Sequence, residues 1–279
     1  MRLRFFAWIR FLRLPNALTV PGDVWVGAVT QIGSLEAGIR TTSGVVFAYW
    51  FGMALNDLLD LPRDRRSRPE RPLPSGQISP GMGWTVCVLL GLTALGLSPS
   101  VGMAGLILLI VAYTGCKEPI PWLGPILMAL CRVCALWIGA GSPLQPSPQL
   151  IAAAVIWFLW IGWITVLGRL EATERPVPLY ATLWMAILGL GVPLWVLSQT
   201  DEPLSASLFA VLWIWALVQL DLRLRRAGCV QPALIGKAIR VLLPLQSLML
   251  AGAGEPLLGV CLLPVWPLLA WLSRRFPMS

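Results

Sequence analysis

Histidine is absent from the 279 residues, Asp and Glu together number only 13, and charged residues make up 12% of the chain. Without an imidazole, any metal site must rest on oxygen or sulfur donors, and chemistry that needs a histidine nucleophile or base is excluded. A polar linker of domain-boundary type is missing too, as is any low-complexity tract, so residues 1–279 read as one domain. The 6 cysteines, Cys87, Cys116, Cys131, Cys134, Cys229 and Cys261, lie mostly in apolar runs, where a thiol behaves as a small hydrophobe. Cys131 and Cys134 form a C-x-x-C, but no second pair completes a zinc set, so they read as packing.

What is abundant is apolar. Hydrophobic residues reach 57%, tryptophan numbers 15, and the mean hydropathy is +0.76. Apolar runs of spanning length recur at residues 16–34, 42–58, 82–98, 101–115, 121–141, 149–168, 178–198, 204–220, 233–252 and 256–272. They predict an all-α polytopic membrane protein, a single helical bundle.

The charges between the runs follow a pattern. Arg2, Arg4, Arg10 and Arg13 precede the first run; Arg63, Arg65, Arg66, Arg68 and Arg71 follow the second; Lys117 follows the fourth. Arg169 and Arg175 follow the sixth, Arg223, Arg225 and Arg226 the eighth, and Arg274 and Arg275 the tenth. The other loops hold little but Glu36, Arg40, Asp201, Glu202 and Glu255. The positive-inside rule therefore predicts both termini and all even-numbered loops in the cytoplasm. This accounts for the net charge of +8 and leaves no need for a nucleic-acid partner. Within "MRLRFFAWIRFLRL", Phe5, Phe6, Ile9 and Leu12 share a helical face, arginines punctuate the segment, and no small-residue cleavage site follows. Residues 1–15 thus predict an interfacial helix, not a cleaved signal.

The densest charge lies in "ALNDLLDLPRDRRSRPERPLPSG", residues 54–76, at the predicted cytoplasmic end of the second run. Asn56, Asp60 and Asp64 are spaced i, i+4, i+8, with Asp57 beside them, so a continuing helix aligns them in one stripe. Pro62 is a possible break that leaves them clustered. Oxygen ligands without His or Cys suit a hard cation, and Mg²⁺ favours one or two carboxylates completed by phosphate oxygens. The plainer alternative is a charged loop whose Asp and Arg residues neutralise one another beside anionic lipid. Against it stands the order: acids first, then Arg68-Pro69, Arg71-Pro72, Pro74 and a Ser75-Gly76 turn. Guanidinium forks beside Mg²⁺ suit a diphosphate.

This stretch resembles the first signature of the UbiA superfamily of intramembrane prenyltransferases, N-D-x-x-D-x-x-x-D followed by R-P-x-R-P-x-x-S-G. The matching positions are Asn56, Asp57, Asp60, Asp64, Arg68, Pro69, Arg71, Pro72, Ser75 and Gly76. Arg13 and Asn16 fit the family's R-x-x-N, Tyr113 and Lys117 its Y-x-x-x-K, and Gly124, Met128, Arg132 and Gly139 its next span. The resemblance implies a helical bundle of nine or ten transmembrane helices that uses Mg²⁺ to transfer an isoprenyl group from an isoprenyl diphosphate to a lipophilic, usually aromatic, acceptor in the bilayer. By resemblance, Asn56, Asp57, Asp60 and Asp64 are metal ligands, and Asp60, Asp64, Lys117 and Arg132 carry catalysis. Arg13, Asn16, Arg68, Arg71, Tyr113, Lys117 and Arg132 are the implied substrate contacts.

The family's second motif, D-x-x-x-D after the sixth span, falls on "VLGRLEATERP", which has Gly168, Arg169, Glu171 and Glu174 and no aspartate. Glu171 and Glu174, at i and i+3, can face one metal ion, and Arg169 can stand in for a cation at the substrate. "LPNALTVPGDVWVG" and "PILMALCRVCALWIGAG" resemble the EboC branch, UbiA-like proteins of a bacterial cluster linked to moving precursors to the cell envelope, which implies residence in a bacterial inner membrane. Asp23, inside the first run, reads as a substrate-pocket residue or as an acid paired with Arg132. Trp122, Trp184 and Trp266 read as interfacial anchors, and Trp157, Trp160 and Trp163 as a face towards the acceptor. Two functions follow: a Mg²⁺-dependent prenyltransferase with an altered second motif, and a non-catalytic relative that binds an isoprenyl diphosphate or lipophilic precursor and aids its transport or assembly. A secondary transporter fits less well, because the acids gather at a membrane face and not at the midplane.

Overall fold

A computed structural model describes residues 2–32, 38–172 and 178–275, and its regular structure is helical. A short helix α1 (Arg2–Phe11) and a single turn α2 (Leu14–Ala17) lead into α3 (Val20–Ile32). Then come α4 (Ile39–Leu59), α5 (Leu61–Ser67), α6 (Pro80–Leu97), α7 (Val101–Cys116) and α8 (Leu123–Gly139). The second half holds α9 (Pro148–Ala172), α10 (Leu179–Gln199), α11 (Pro203–Ala227), α12 (Pro232–Arg240), α13 (Leu242–Gly252), α14 (Pro256–Leu262) and α15 (Val265–Arg275).

Local chemistry sets these boundaries. Proline opens α6, α9, α11, α12 and α14, at the position where a missing N–H costs no helical bond. Serine hydroxyls cap three starts: Ser79 accepts from the Met82 N–H at 3.3 Å, Ser100 from Met103 at 3.1 Å and Ser147 from Leu150 at 3.0 Å. Proline also divides two of the apolar runs. The ninth becomes α12 and α13, parted at Val241 ahead of Pro244, and the tenth becomes α14 and α15, parted at Leu263 and Pro264.

Among the described residues, five helical segments are long and apolar enough to cross a membrane: Pro80–Leu97, Pro148–Glu171, Thr182–Gln199, Pro203–Ala227 and Pro232–Gly252. The shorter apolar segments Val101–Cys116, Leu123–Gly139 and Pro256–Leu272 accompany them. Burial separates centre from rim: 67% of the Pro232–Gly252 window is buried, against 28% of Pro80–Leu97, which turns Val88, Leu89 and Leu92 outward. Exposed leucines and valines on such a belt are expected where the neighbour is lipid. The chain is thus an all-α polytopic integral membrane protein.

Two apolar cores share α3 and α8. One gathers Phe11, Ala48, Ala54, Met103 and Leu106 in the N-terminal half; the other gathers Trp157, Trp160, Leu167, Trp213 and Leu220 in the C-terminal half. At the seam the two backbones touch. A Cβ on Gly27 would lie 1.9 Å from the Leu136 carbonyl oxygen, and one on Gly139 would lie 2.1 Å from that of Val24. Only glycine permits that approach, which here joins the halves. Trp160 stacks on Trp163 at 4.9 Å and meets Trp213 edge-on at 5.3 Å. Trp157, Trp160 and Trp163 are therefore core residues in this structure. Trp122 and Trp184 are exposed as anchors require, while Trp266 packs edge-on against Trp215.

Candidate active site at the end of α4

The acidic stripe forms where α4 gives way to α5. Pro62 has no N–H to donate back to Leu58, and the helix breaks at Asp60, yet Asp60 keeps a helical backbone, φ −78 and ψ −7. Its N–H still reaches the Asn56 carbonyl at 3.0 Å, and the Asp64 N–H reaches that of Asp60 at 2.9 Å. The register expected from the sequence therefore survives the break. Asn56, Asp57, Asp60 and Asp64 are all buried.

Each acid meets a cation brought from elsewhere. Asp57 accepts from Arg13 at 3.0 Å and lies 3.7 Å from Arg71; Asp64 accepts from Arg71 at 2.7 Å. Lys117 donates to Asp60 Oδ2 at 2.6 Å and also to Asn56 Oδ1, while the Asn56 amide donates to Asp60 at 3.1 Å. Arg63, half exposed, pairs with Asp60 at 3.1 Å and with Glu118. Four cations thus meet three buried aspartates and the exposed Glu118, a charge-balanced set in which a metal ion that takes the aspartates frees cations for an anion. Arg13 takes a left-handed backbone, φ 47 and ψ 46, as it turns the chain between α1 and α2, a conformation that costs a non-glycine residue about 1 kcal/mol or more. Burial lowers the Arg13 pKa, and Asp57, Tyr49, Tyr113 and Asp64 outweigh it and raise it overall, so the guanidinium stays charged.

The remaining predicted residues divide. Tyr113 lies one turn before Lys117, its ring centroid 5.8 Å from the ammonium. Asn16 lies beside the Tyr49 side chain, which sits near Arg13, Arg132 and Asp57. Arg68 is half-buried at the end of α5, where its backbone spans Asp64 and Arg71. Asp23 and Arg132 form a second cluster: Arg132 Nε lies 2.7 Å from Asp23 Oδ2, and its Nη2 donates to Asp23 Oδ1 at 3.2 Å. Of the two readings of Asp23, the geometry gives the acid paired with Arg132. Trp157 Nε1 at 2.8 Å and Gln246 Nε2 at 2.7 Å donate to the same Oδ1. Arg169 reaches the Lys117 backbone carbonyl at 2.9 Å. Glu171 lies half-buried in the last turn of α9 and makes no salt bridge among the described residues; Glu174 lies outside them.

Sequence reasoning passes over Tyr49, Trp157 as a hydrogen-bond donor, and Gln246. The last carried a signal, a lone amide within the apolar "LLPLQSLML".

A metal fits the donor set by its chemistry. Among the described residues no three His, Cys, Asp or Glu side chains form a ready cage. Mg²⁺ asks for less, one or two carboxylates with phosphate oxygens and waters completing the shell. Asp57, Asp60 and Asp64, within two turns, can supply them.

The model of the UbiA prenyltransferase family matches residues 18–173, more than half of the chain and all of this cluster except Arg13. The chain belongs to the UbiA prenyltransferase family. Curated relatives include the digeranylgeranylglyceryl phosphate synthases of Methanopyrus kandleri, 27% identical over 162 residues (54% of each chain), and of Methanothermobacter thermautotrophicus, 34% over 113 residues (38% of this chain, 40% of the relative). The matched stretch spans between 28% and 54% of the length of such relatives. Among solved structures, a UbiA homologue from Archaeoglobus fulgidus bound to GPP and Mg²⁺ has a TM-score of 0.61 at 17% identity, covering 89% of this chain and 99% of that one. An apo UbiA homologue from Aeropyrum pernix has a TM-score of 0.59 at 14% identity, covering 85% and 96%. The bundle has a UbiA fold over 85–89% of the chain in these two comparisons, while the family model matches the part that holds the acids.

Proposed function

We propose that this UbiA-family chain, one domain over residues 1–279, transfers an isoprenyl group from an isoprenyl diphosphate to a lipophilic acceptor within the membrane, with Mg²⁺ as cofactor. The observation that carries this reading is the acid cluster: three buried aspartates within two turns, met by Arg13, Arg71 and Lys117 from three separate elements. In this reading Asn56, Asp57, Asp60 and Asp64 hold the metal, which supplies charge neutralisation for the departing diphosphate. Lys117, Arg13 and Arg71 turn from carboxylates towards phosphate oxygens, Arg68 adds a further guanidinium, and Tyr113 and Asn16 line the approach, while Arg132 stays paired with Asp23. Glu171 and Glu174 are the residues available for a second ion. The relatives whose names specify digeranylgeranylglyceryl phosphate synthesis, and the Archaeoglobus homologue with GPP and Mg²⁺, support this class of chemistry.

The reading places the site at the cytoplasmic face, both termini inside, on the alternation of basic loops. Reporters fused after Ser279 and at Asp201 test this, with cytoplasmic and external signals expected respectively. A C-terminus found outside removes the last crossing.

One feature favours a second reading, a non-catalytic EboC-like relative in a bacterial inner membrane: no aspartate stands in the second motif, and Arg169 is engaged with the chain itself. Purified protein in lipid nanodiscs, given Mg²⁺, isoprenyl diphosphates of several lengths and a lipid extract, separates the two. Release of diphosphate with a prenylated product supports the enzyme; binding without release supports the carrier; no binding removes both.

A further inference from the structure

The proposed diphosphate site depends on where Lys117 delivers its ammonium, so what holds the Lys117 backbone matters. Lys117 is the C-terminal cap of α7, where helix carbonyls run out of partners. Its own carbonyl is orphaned by the sequence that follows. Four residues on stands Pro121, which has no N–H, and three residues on the Ile120 N–H is given to the Cys116 carbonyl at 3.0 Å. A helix end left in that state turns freely unless another group takes the carbonyl.

Arg169 takes it. From the last turn of α9, 52 residues away, its Nη2 donates to the Lys117 oxygen at 2.9 Å. The guanidinium passes over Gly124, in the first turn of α8, where a Cβ would stand 2.9 Å from Arg169 Nη2 and 3.6 Å from Lys117 Cβ. Three elements meet there: the end of α9, the start of α8 and the end of α7. On the far side of the same residue, Nζ bridges Asn56 and Asp60.

We propose that Arg169 is a positioning residue: by holding the Lys117 carbonyl it fixes the ammonium on Asn56 and Asp60, and so couples the end of α9 to the acid cluster through the protein backbone. This rests on the reading of that cluster as a diphosphate site, and it differs from a direct role in one respect. A guanidinium that touches substrate acts whether or not Lys117 is present; one that acts through Lys117 does not.

The chain has just two lysines, Lys117 and Lys237, which makes a ligand-free measurement available. Protein in nanodiscs is treated with an amine-acylating reagent, and modification of Lys117 relative to Lys237 is read by peptide mass spectrometry. Arg169→Gln and Gly124→Ala are expected to raise that ratio several-fold, the second because its methyl displaces only the flexible end of Arg169, and Arg169→Lys is expected to restore part of the protection. An unchanged ratio in both variants overturns the inference, whatever the protein binds. The second measurement is affinity for geranyl diphosphate with Mg²⁺. Arg169→Gln is expected to weaken it about tenfold in the native background, the worth of one charge-assisted hydrogen bond, and to have no further effect beside Lys117→Ala. Equal losses in both backgrounds mean that Arg169 meets the ligand itself, which also overturns it. Wild-type protein that binds no geranyl diphosphate sinks the proposed function alone, and the acylation ratio then decides the positioning role.

Discussion

The acid cluster at the end of α4 and the Asp23 cluster between α3, α8, α9 and α13 are both buried carboxylate–cation assemblies, yet they are wired differently. Around Asp23 there is one acid and one cation, and the acid's remaining capacity goes to the neutral donors Trp157 and Gln246. Gln246 also donates to the Thr19 carbonyl at 2.8 Å, and Arg132 to the same carbonyl at 3.3 Å. Apart from Thr19, in the turn between α2 and α3, these groups project from helices packed in the seam between the two cores, and Asp23 and Gln246 are wholly buried. In the acid cluster four cations meet four carboxylates with shared partners: Arg71 divides itself between Asp57 and Asp64, and Arg63 divides itself between Asp60 and exposed Glu118. Sharing of that kind means several arrangements of similar energy, as a site that trades partners on binding requires. One closed pair with fixed neutral donors has no such alternatives and suits a support.

That contrast is breakable. Arg132→Met leaves the Asp23 carboxylate buried without its cation, so it is expected to destabilise the protein by about 3–5 kcal/mol, read as a lowered midpoint of thermal denaturation in nanodiscs. A midpoint near wild type means that Asp23 reaches water and that the seam is not sealed. Asp60→Asn is expected to act the other way round, costing on the order of 100-fold in Mg²⁺-dependent turnover of geranyl diphosphate with little change in the midpoint. Binding that persists in this variant and without Mg²⁺ returns the stripe to a self-neutralising loop. Trp157→Phe keeps the ring and removes one donor to a carboxylate, for an expected loss of about 1.5–3 kcal/mol of stability. Loss of diphosphate affinity without loss of stability makes the Asp23 cluster part of the ligand site. Glu118→Gln breaks an exposed pair and is expected to shift stability by about 1 kcal/mol or less, measured at low and high salt. A larger effect means that Arg63 needs Glu118 to stay on Asp60.

The clusters also differ in how far they can be read from the chain. The stripe of Asn56, Asp57, Asp60 and Asp64 is local: its members stand within nine residues, and helical periodicity alone lines them up, even across the break at Pro62. Asp23 and Arg132 could be paired on paper as the charges of two apolar runs. Gln246, more than 200 residues from Asp23, could not, because no local spacing brings α13 against α3. Arg169 is a like case: a basic residue in the right stretch, with a partner that is a backbone oxygen and leaves no mark in side-chain chemistry. Trp157, Trp160 and Trp163 point the same lesson. Period and composition make them a helix face, and only packing decides that the face is turned into the C-terminal core.

The sequence by itself determined the solvent this protein folds in, the runs that become helices, where proline divides them, and the order of acids and arginines at the end of α4. Each of these is a property of neighbouring residues, governed by hydropathy, period and backbone sterics. The tertiary structure alone decided which cation meets which acid, that one buried carboxylate is locked while three others share their partners, and that the end of α9 grips the backbone of Lys117. Those outcomes depend on which helices touch, and in a bilayer that is set by close packing at residues such as Gly27 and Gly139 and by the need of every buried polar group for a partner, both of which act between residues far apart in the chain.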